Sequence, residues 1–185
     1  MNYSGEPAED KEYIREPGAY DYKVVAAEER IGKESGNPYL YLEIKCVSND
    51  RKLTKDIKYV NFFPGGGENK RKEFNSFLVT LGVVKDGKPF MNNEADLVNK
   101  YGIVVLDNKV WVNQDGEEKN VLEPISYYNA WYNSKRQSAT EIQDKKPASK
   151  INKYLPDVAA KPKPVIEAEV SVQGTTEAET QDLPF

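Results

Sequence analysis

The sequence predicts a mainly β domain with one helix and a polar, acidic C-terminal tail. Three observations carry that expectation. Residues 39–47 alternate strictly, Leu40, Leu42, Ile44 and Cys46 on one face and Tyr39, Tyr41, Glu43 and Lys45 on the other, which is the period of a half-buried strand. The period changes to about 3.6 in only one strongly apolar stretch, Phe74, Phe77, Leu78 and Leu81. Beyond Lys163 the chain carries Glu167, Glu169, Glu177, Glu179 and Asp182 and no Lys or Arg, leaving 25 acids against 26 bases upstream.

Residues 1–17 are polar, broken by Pro7, Pro17 and Gly18, and read as a flexible N-terminal arm. Residues 19–31 follow as a long strand with Tyr20, Tyr22, Val24 and Ala26 on one face. The Gly32–Pro38 run is a turn, residues 39–47 are the second strand, and Ser48-Asn49-Asp50 turns the chain again. Residues 55–63 make a third strand of ambiguous phase: Ile57/Tyr59/Phe63 and Lys58/Val60/Phe62 both mix apolar and polar residues, although Phe62 and Phe63 both read as core. Pro64 and three glycines break that strand, the helix spans residues 68–81, and Gly82 stops it. A polar connection holds one helical turn near Asp96. A fourth strand then covers residues 101–106, Asp107-Asn108 turns into Val110-Trp111-Val112, Asp115-Gly116 turns again, and a last strand covers residues 120–128.

Three strands, a helix and two or three more strands, joined by short connections, match the five-stranded OB-fold-like Greek-key barrel over residues 18–132. A small β-sandwich is the alternative architecture. From Asn133 to residue 185 the chain reads as a disordered linker with an acidic tip: residues 134–146 have weak helical character, and four prolines then punctuate a Lys/Ala/Glu-rich run too poor in large apolar groups to repay its ordering entropy. Its end, Asp182-Leu183-Pro184-Phe185, places an aromatic anchor on an acidic tether long enough to reach a partner protein.

Composition excludes several chemistries. The chain has no histidine and a single cysteine, Cys46, so His-based catalysis, an intrachain disulfide and a thiolate zinc site are absent. The glycines at 65–67 precede a helix without the Gly-Lys-Ser/Thr of a phosphate-binding loop, and the carboxylates are scattered. No enzyme activity, cofactor or metal is implied. No window approaches a membrane span and the N-terminus has no apolar core, so an intracellular, soluble protein is expected.

The residues favour a binding surface. Tyr39 and Tyr41 share the polar face of the second strand. Tyr59 and Trp111 are further ring candidates, and Tyr127, Tyr128, Trp131 and Tyr132 cluster after the last strand. Lys23, Arg30, Lys33, Lys45 and Lys58 are interleaved with them. Rings stack bases and cations follow phosphates, whereas the default role of a strand tyrosine is cross-strand packing. A carbohydrate- or protein-binding β-domain is the rival reading, and a metal-dependent nuclease or resolvase a further one.

The tip Asp182-Leu183-Pro184-Phe185 resembles the C-terminal end of bacterial single-stranded DNA-binding proteins. The body, from Gly18-Ala19-Tyr20 through Gly36-Asn37-Pro38-Tyr39-Leu40 to the helix ending at Gly82, is similar in pattern to phage-encoded members of that class. The resemblance implies sequence-independent binding of single-stranded DNA in replication, recombination or repair, in a host cytoplasm if phage-encoded. It also implies recruitment of replication or recombination proteins by the tip, which competes with DNA for the groove. The acids here are spread out rather than packed against the tip, and tetramer formation is not implied.

Overall fold

A computed structural model describes residues 13–113, 115–126 and 129–160, with side chains described as far as Leu155. The architecture is mainly β. Strands β1 (Gly18–Ile31), β2 (Pro38–Val47) and β3 (Thr54–Phe62) precede helix α1 (Glu68–Thr80). A small hairpin, β4 (Val84–Lys85) and β5 (Lys88–Pro89), and a 3-10 turn at Glu94–Asp96 lead to β6 (Tyr101–Val112) and β7 (Glu118–Pro124). The short β8 (Trp131–Tyr132) and helices α2 (Ala139–Gln143) and α3 (Ile151–Ala160) complete the described chain. The strands pair antiparallel, in the order β3-β2-β1-β6-β7, with β8 also paired to β6, and outside them Tyr13 makes a parallel bridge to Thr54. The sheet forms an open barrel, with β3 and β7 at the two ends of that order.

Local chemistry sets the ends of α1. Gly82, at φ 69°, follows the last turn and donates its N–H to the Val79 carbonyl, while Val83 donates to Leu78. These two bonds form a Schellman cap, which only a residue at ease in the left-handed region closes without strain. The buried stripe of the helix packs into an aromatic cluster. Phe77 stacks on Phe62 of β3 with centroids 4.6 Å apart and meets Trp131 of β8 edge-on at 5.0 Å. Trp131 in turn meets Tyr22 of β1 edge-on at 5.2 Å. Gly102 pairs directly with Tyr22 and makes this arrangement possible. A Cβ at position 102 would lie 2.7 Å from the Tyr132 carbonyl oxygen and 2.9 Å from the Tyr22 ring.

Four expectations are corrected. First, residues 101–112 form one strand, β6, and do not turn at Asp107-Asn108; Asp107 is buried and its carboxylate accepts the Asn108 N–H at 2.9 Å. Second, Phe62 is core but Phe63 is exposed, because consecutive strand residues point to opposite faces. Third, the arm is not loose to its end: Ile14 is buried in the core and donates its N–H to the Thr54 carbonyl at the start of β3. Fourth, the chain stays packed well past Asn133. Ile151, with Tyr154 and Leu155 beside it, covers Ile103 and Val105 on the far face of β6. That i, i+3, i+4 spacing is a short helical stripe within a run of polar composition. Residues 1–12 and 161–185, the tip included, lie outside the described residues, as do Tyr127 and Tyr128.

Glu141 locks this C-terminal segment down. It closes a capping box with Ser138, accepting the Ser138 N–H at 2.8 Å, and its other oxygen accepts N–H groups from Ser149 and Lys150 and the Ser149 hydroxyl at 2.7–2.9 Å. Burial opposes the charge, but donation from the backbone N–H groups of Ser138, Lys150 and Ser149 outweighs it and holds the carboxyl down to about 2. A folded value below the ordinary 4.5 means the stabilisation is complete above about pH 4.5 and is lost as pH falls towards 2. Glu141→Gln puts an amide where only acceptors fit and should cost about 1–3 kcal/mol at neutral pH. In thermal melts the gap between the two proteins should be widest above pH 5 and shrink at pH 2.5; a gap independent of pH would contradict a charged lock.

Candidate functional site

The outer face of β1–β2–β3 brings together most of the residues singled out from sequence. The register pairs Arg30 with Tyr39, Glu28 with Tyr41, Lys23 with Lys45, and Lys45 with Asp56. Tyr39, Tyr41 and Lys45 therefore share one surface with Lys23 and Arg30, as the alternation of β2 requires.

The phase of β3 is resolved by a bulge. Leu42 pairs with Val60 and Ile44 with Ile57, so Lys58 and Tyr59 together stand opposite the single residue Glu43. The extra residue shifts the alternation by one: Ile57, Val60 and Phe62 all point inward, a set that neither strict period of the sequence contains. Tyr59 absorbs the irregularity at φ 63°, and it is the one described non-glycine residue with positive φ inside a strand. A bulky residue there is an outlier and is strained by roughly 1–2 kcal/mol. A second irregularity, on β1 between Val24 and Ala26, faces the same Glu43. The two bulges bend the sheet at one place and turn the Tyr59 ring outward, where it is 69% exposed.

Two cross-strand aromatic pairs result. Tyr39 stacks on Phe63 with centroids 5.3 Å apart, and Phe63 is 43% exposed. Tyr41 meets Tyr59 edge-on at 5.6 Å. Tyr41 itself is only 3% exposed, although it belongs to the outer face and not to the core cluster. Its cover comes from side chains: the Arg30 guanidinium lies 3.4 Å above the ring, and the phenol donates to Glu43 at 2.7 Å. That hydrogen bond, with burial and the Glu43 charge behind it, raises the phenol above its ordinary value. Arg30 is also paired with Glu28 at 2.7 Å. Arg30 and Glu43 thus hold Tyr41, against which Tyr59 stands edge-on, while Tyr59 and Phe63 present the open ring surface.

The other candidates are dispersed. Lys58 is exposed in the bulge and Lys33 is exposed in the β1–β2 turn. Trp111 is 56% exposed near the end of β6, flanked by exposed Val110 and Val112, and its register partner is Lys119 of β7 rather than any residue of β2 or β3. Trp131 and Tyr132 are buried and serve the core. Sequence reasoning missed Phe63, which the ambiguous phase of β3 hid, and Tyr101, the first residue of β6, which pairs with Lys23 and is 62% exposed. Burial pushes the Cys46 thiol up to about 12, so it is a poor nucleophile. Among the described residues no helix is long and apolar enough to cross a membrane.

The fold and this surface define a mainly β, antiparallel domain with paired rings and interspersed cations on one sheet face. Residues 6–150 match the family described as protein of unknown function (DUF669), and the chain belongs to that family. The match takes in α2 and reaches Lys150, where the Glu141 lock closes. No curated protein matches the chain.

If the bulge holds Tyr59 under strain, glycine is the residue best suited to that backbone. Tyr59→Gly gives up the Tyr41 contact but relieves the left-handed strain, whereas Tyr59→Val keeps the strain and adds a β-branch. Urea midpoints should place the valine variant about 1–2 kcal/mol below the glycine variant. The opposite order would mean that Tyr59 is not in the left-handed region.

Proposed function

We propose that this protein is a non-enzymatic, sequence-independent single-stranded DNA-binding protein of phage type, acting in replication, recombination or repair. The observation that carries the reading is the pair of cross-strand aromatic contacts, Tyr39 with Phe63 and Tyr41 with Tyr59, on an outer sheet face that also holds Lys23, Arg30 and Lys45, with Lys58 in the adjoining bulge. Exposed rings offer bases a stacking surface without regard to sequence, and cations track the backbone. The strand order supports it. A path β3-β2-β1-β6-β7 with the helix after the third strand agrees with an OB-type barrel, whose second and third strands form its oligonucleotide face. Trp111, near the end of β6 where it pairs with β7, the fourth and fifth strands of that scheme, would meet the DNA from the side.

The test is a titration with oligo-dT followed by tryptophan emission. Binding is expected with a log–log salt slope of about −1.4 to −2.8, corresponding to two to four phosphate contacts. Tyr59→Ala should weaken it at least fivefold, the lower end of a base–ring stack. Absence of binding at low salt would sink the reading, and salt-independent binding of a glycan would favour the carbohydrate alternative.

The C-terminal segment extends the proposal. Residues 165–185 carry five acids and no Lys or Arg and end in Asp182-Leu183-Pro184-Phe185, a composition suited to occupy the Lys- and Arg-bearing face when DNA is absent and to dock replication or recombination proteins. Deleting residues 165–185 should tighten oligo-dT binding at low salt and abolish capture of such partners. Equal DNA affinity with and without the segment would remove the autoinhibitory role.

A further inference from the structure

A cleft of about 520 Å³ opens where the start of β6 meets β1 and the end of β2. That volume is in the range of small-molecule sites. Its lining carries Lys23, Lys45 and Arg51 against one acid, Asp21, with the buried Tyr22 at its wall and Tyr101 as its exposed ring. The cations sit on pinned elements. Lys23 and Lys45 face each other across the β1–β2 ladder. Arg51 is held at φ 59° in a turn where Asp50 accepts the Ser48 hydroxyl and the Lys52 N–H, and Ser48 accepts the Leu53 N–H. Ser134 closes the opposite side, in a turn fixed by the Asn133 side chain, which accepts N–H groups from Lys135 and Gln137. The Lys23 ammonium stands 5.5 Å from the Tyr101 centroid, so an aromatic surface and a cation adjoin in one cavity.

The cleft also lies where the outer face ends. Tyr101, Ile103 and Val105 occupy successive same-face positions of β6; the first is exposed, and the other two are buried with Ile151 of α3. We infer that the cleft is a subsite for a single phosphate-bearing nucleotide unit, with Tyr101 stacking the base and Lys23, Lys45 and Arg51 meeting the phosphate. The inference deepens the proposed function and rests on it for the polymer that would supply the unit. It adds a docking point at the Lys45 end of the face, six residues and about 20 Å along β2 from Tyr39.

The probe is dTMP, added to the ¹⁵N-labelled full chain, with thymidine and inorganic phosphate as separate arms and oligo-dT binding measured on the same preparation. The amides of Tyr101, Gly102, Lys23 and Lys45 are expected to shift with dTMP, and with thymidine or phosphate at least tenfold more weakly. Tyr101→Ala should weaken dTMP at least fivefold, while Tyr101→Phe preserves it. Phosphate as effective as dTMP, or dTMP shifts that ignore Tyr101→Ala, would overturn the subsite. Oligo-dT binding with no cleft shifts from dTMP would overturn it while leaving the proposed function intact. Cleft shifts from dTMP without oligo-dT binding would support the subsite and remove the polymer reading.

Discussion

The structure depends on one packing constraint: Phe77 of α1 is held between Phe62 of β3 and Trp131 of β8, with Tyr22 of β1 completing the cluster. Edge-to-face and offset ring contacts contribute about 0.5–1.5 kcal/mol each beyond the area they bury, and they fix orientation as well as contact. The helix packs on the inner side of the sheet, and among the described residues the other side of β1–β2–β3 is covered only at its edge, where α3 packs on Ala19 of β1. Among the described residues the α3 stripe is what packs there, over Ile103, Val105 and Ala19. Tyr59, Phe63 and Tyr101 on that face are exposed among the described residues, and side chains decide its character.

Glu43 is the pivot of that character. Bulges in β1 and β3 both fall opposite it, and its carboxylate accepts the Tyr41 phenol. Strain within a strand persists only where the surroundings over-determine it. Here Tyr41 is fixed from above by Arg30 and from the side by Glu43, and Tyr59 leans edge-on against it. The arrangement spends backbone strain to hold one ring outward in a defined place.

How far this was legible from the chain varies by element and for physical reasons. The alternation of β2, the helix and its Gly82 stop, and the Asp115-Gly116 turn follow local rules, and the structure agrees with them. The phase of β3 does not, because a bulge adds one residue and breaks the period on which such reading rests. Asp107-Asn108 reads as a turn by composition, yet lies inside β6 because its pairing to Glu123 and Leu122 of β7, continuous with the β1 pairing that ends at Leu106, outweighs local preference. The C-terminal helices are hidden by averaging over a polar segment. Their signals are nonetheless present as Ser138-x-x-Glu141 and the Ile151/Tyr154/Leu155 stripe. Of the candidate site, the ring-and-cation face of β2 was readable from spacing. Tyr101 and Phe63 were not, since their roles come from register across strands.

Magnitudes decide what kind of binding such a face can support. Its cations are matched one for one by acids: Lys23, Arg30, Lys45 and Lys58 stand near Asp21, Glu28, Glu43 and Asp56, and Arg30 is already paired. Long-range attraction for a polyanion is then small, and exposed ion pairs contribute little in any case. Stacking is not cancelled in this way. Three open rings, Tyr59, Phe63 and Tyr101, at about 1–3 kcal/mol each give roughly 3–9 kcal/mol before ordering costs. On the proposed reading the protein grips its ligand through ring faces and uses charge mainly to align the backbone, so placing one tyrosine correctly matters more than adding another lysine. On the same reading, that is what a strained residue in the middle of a strand would serve.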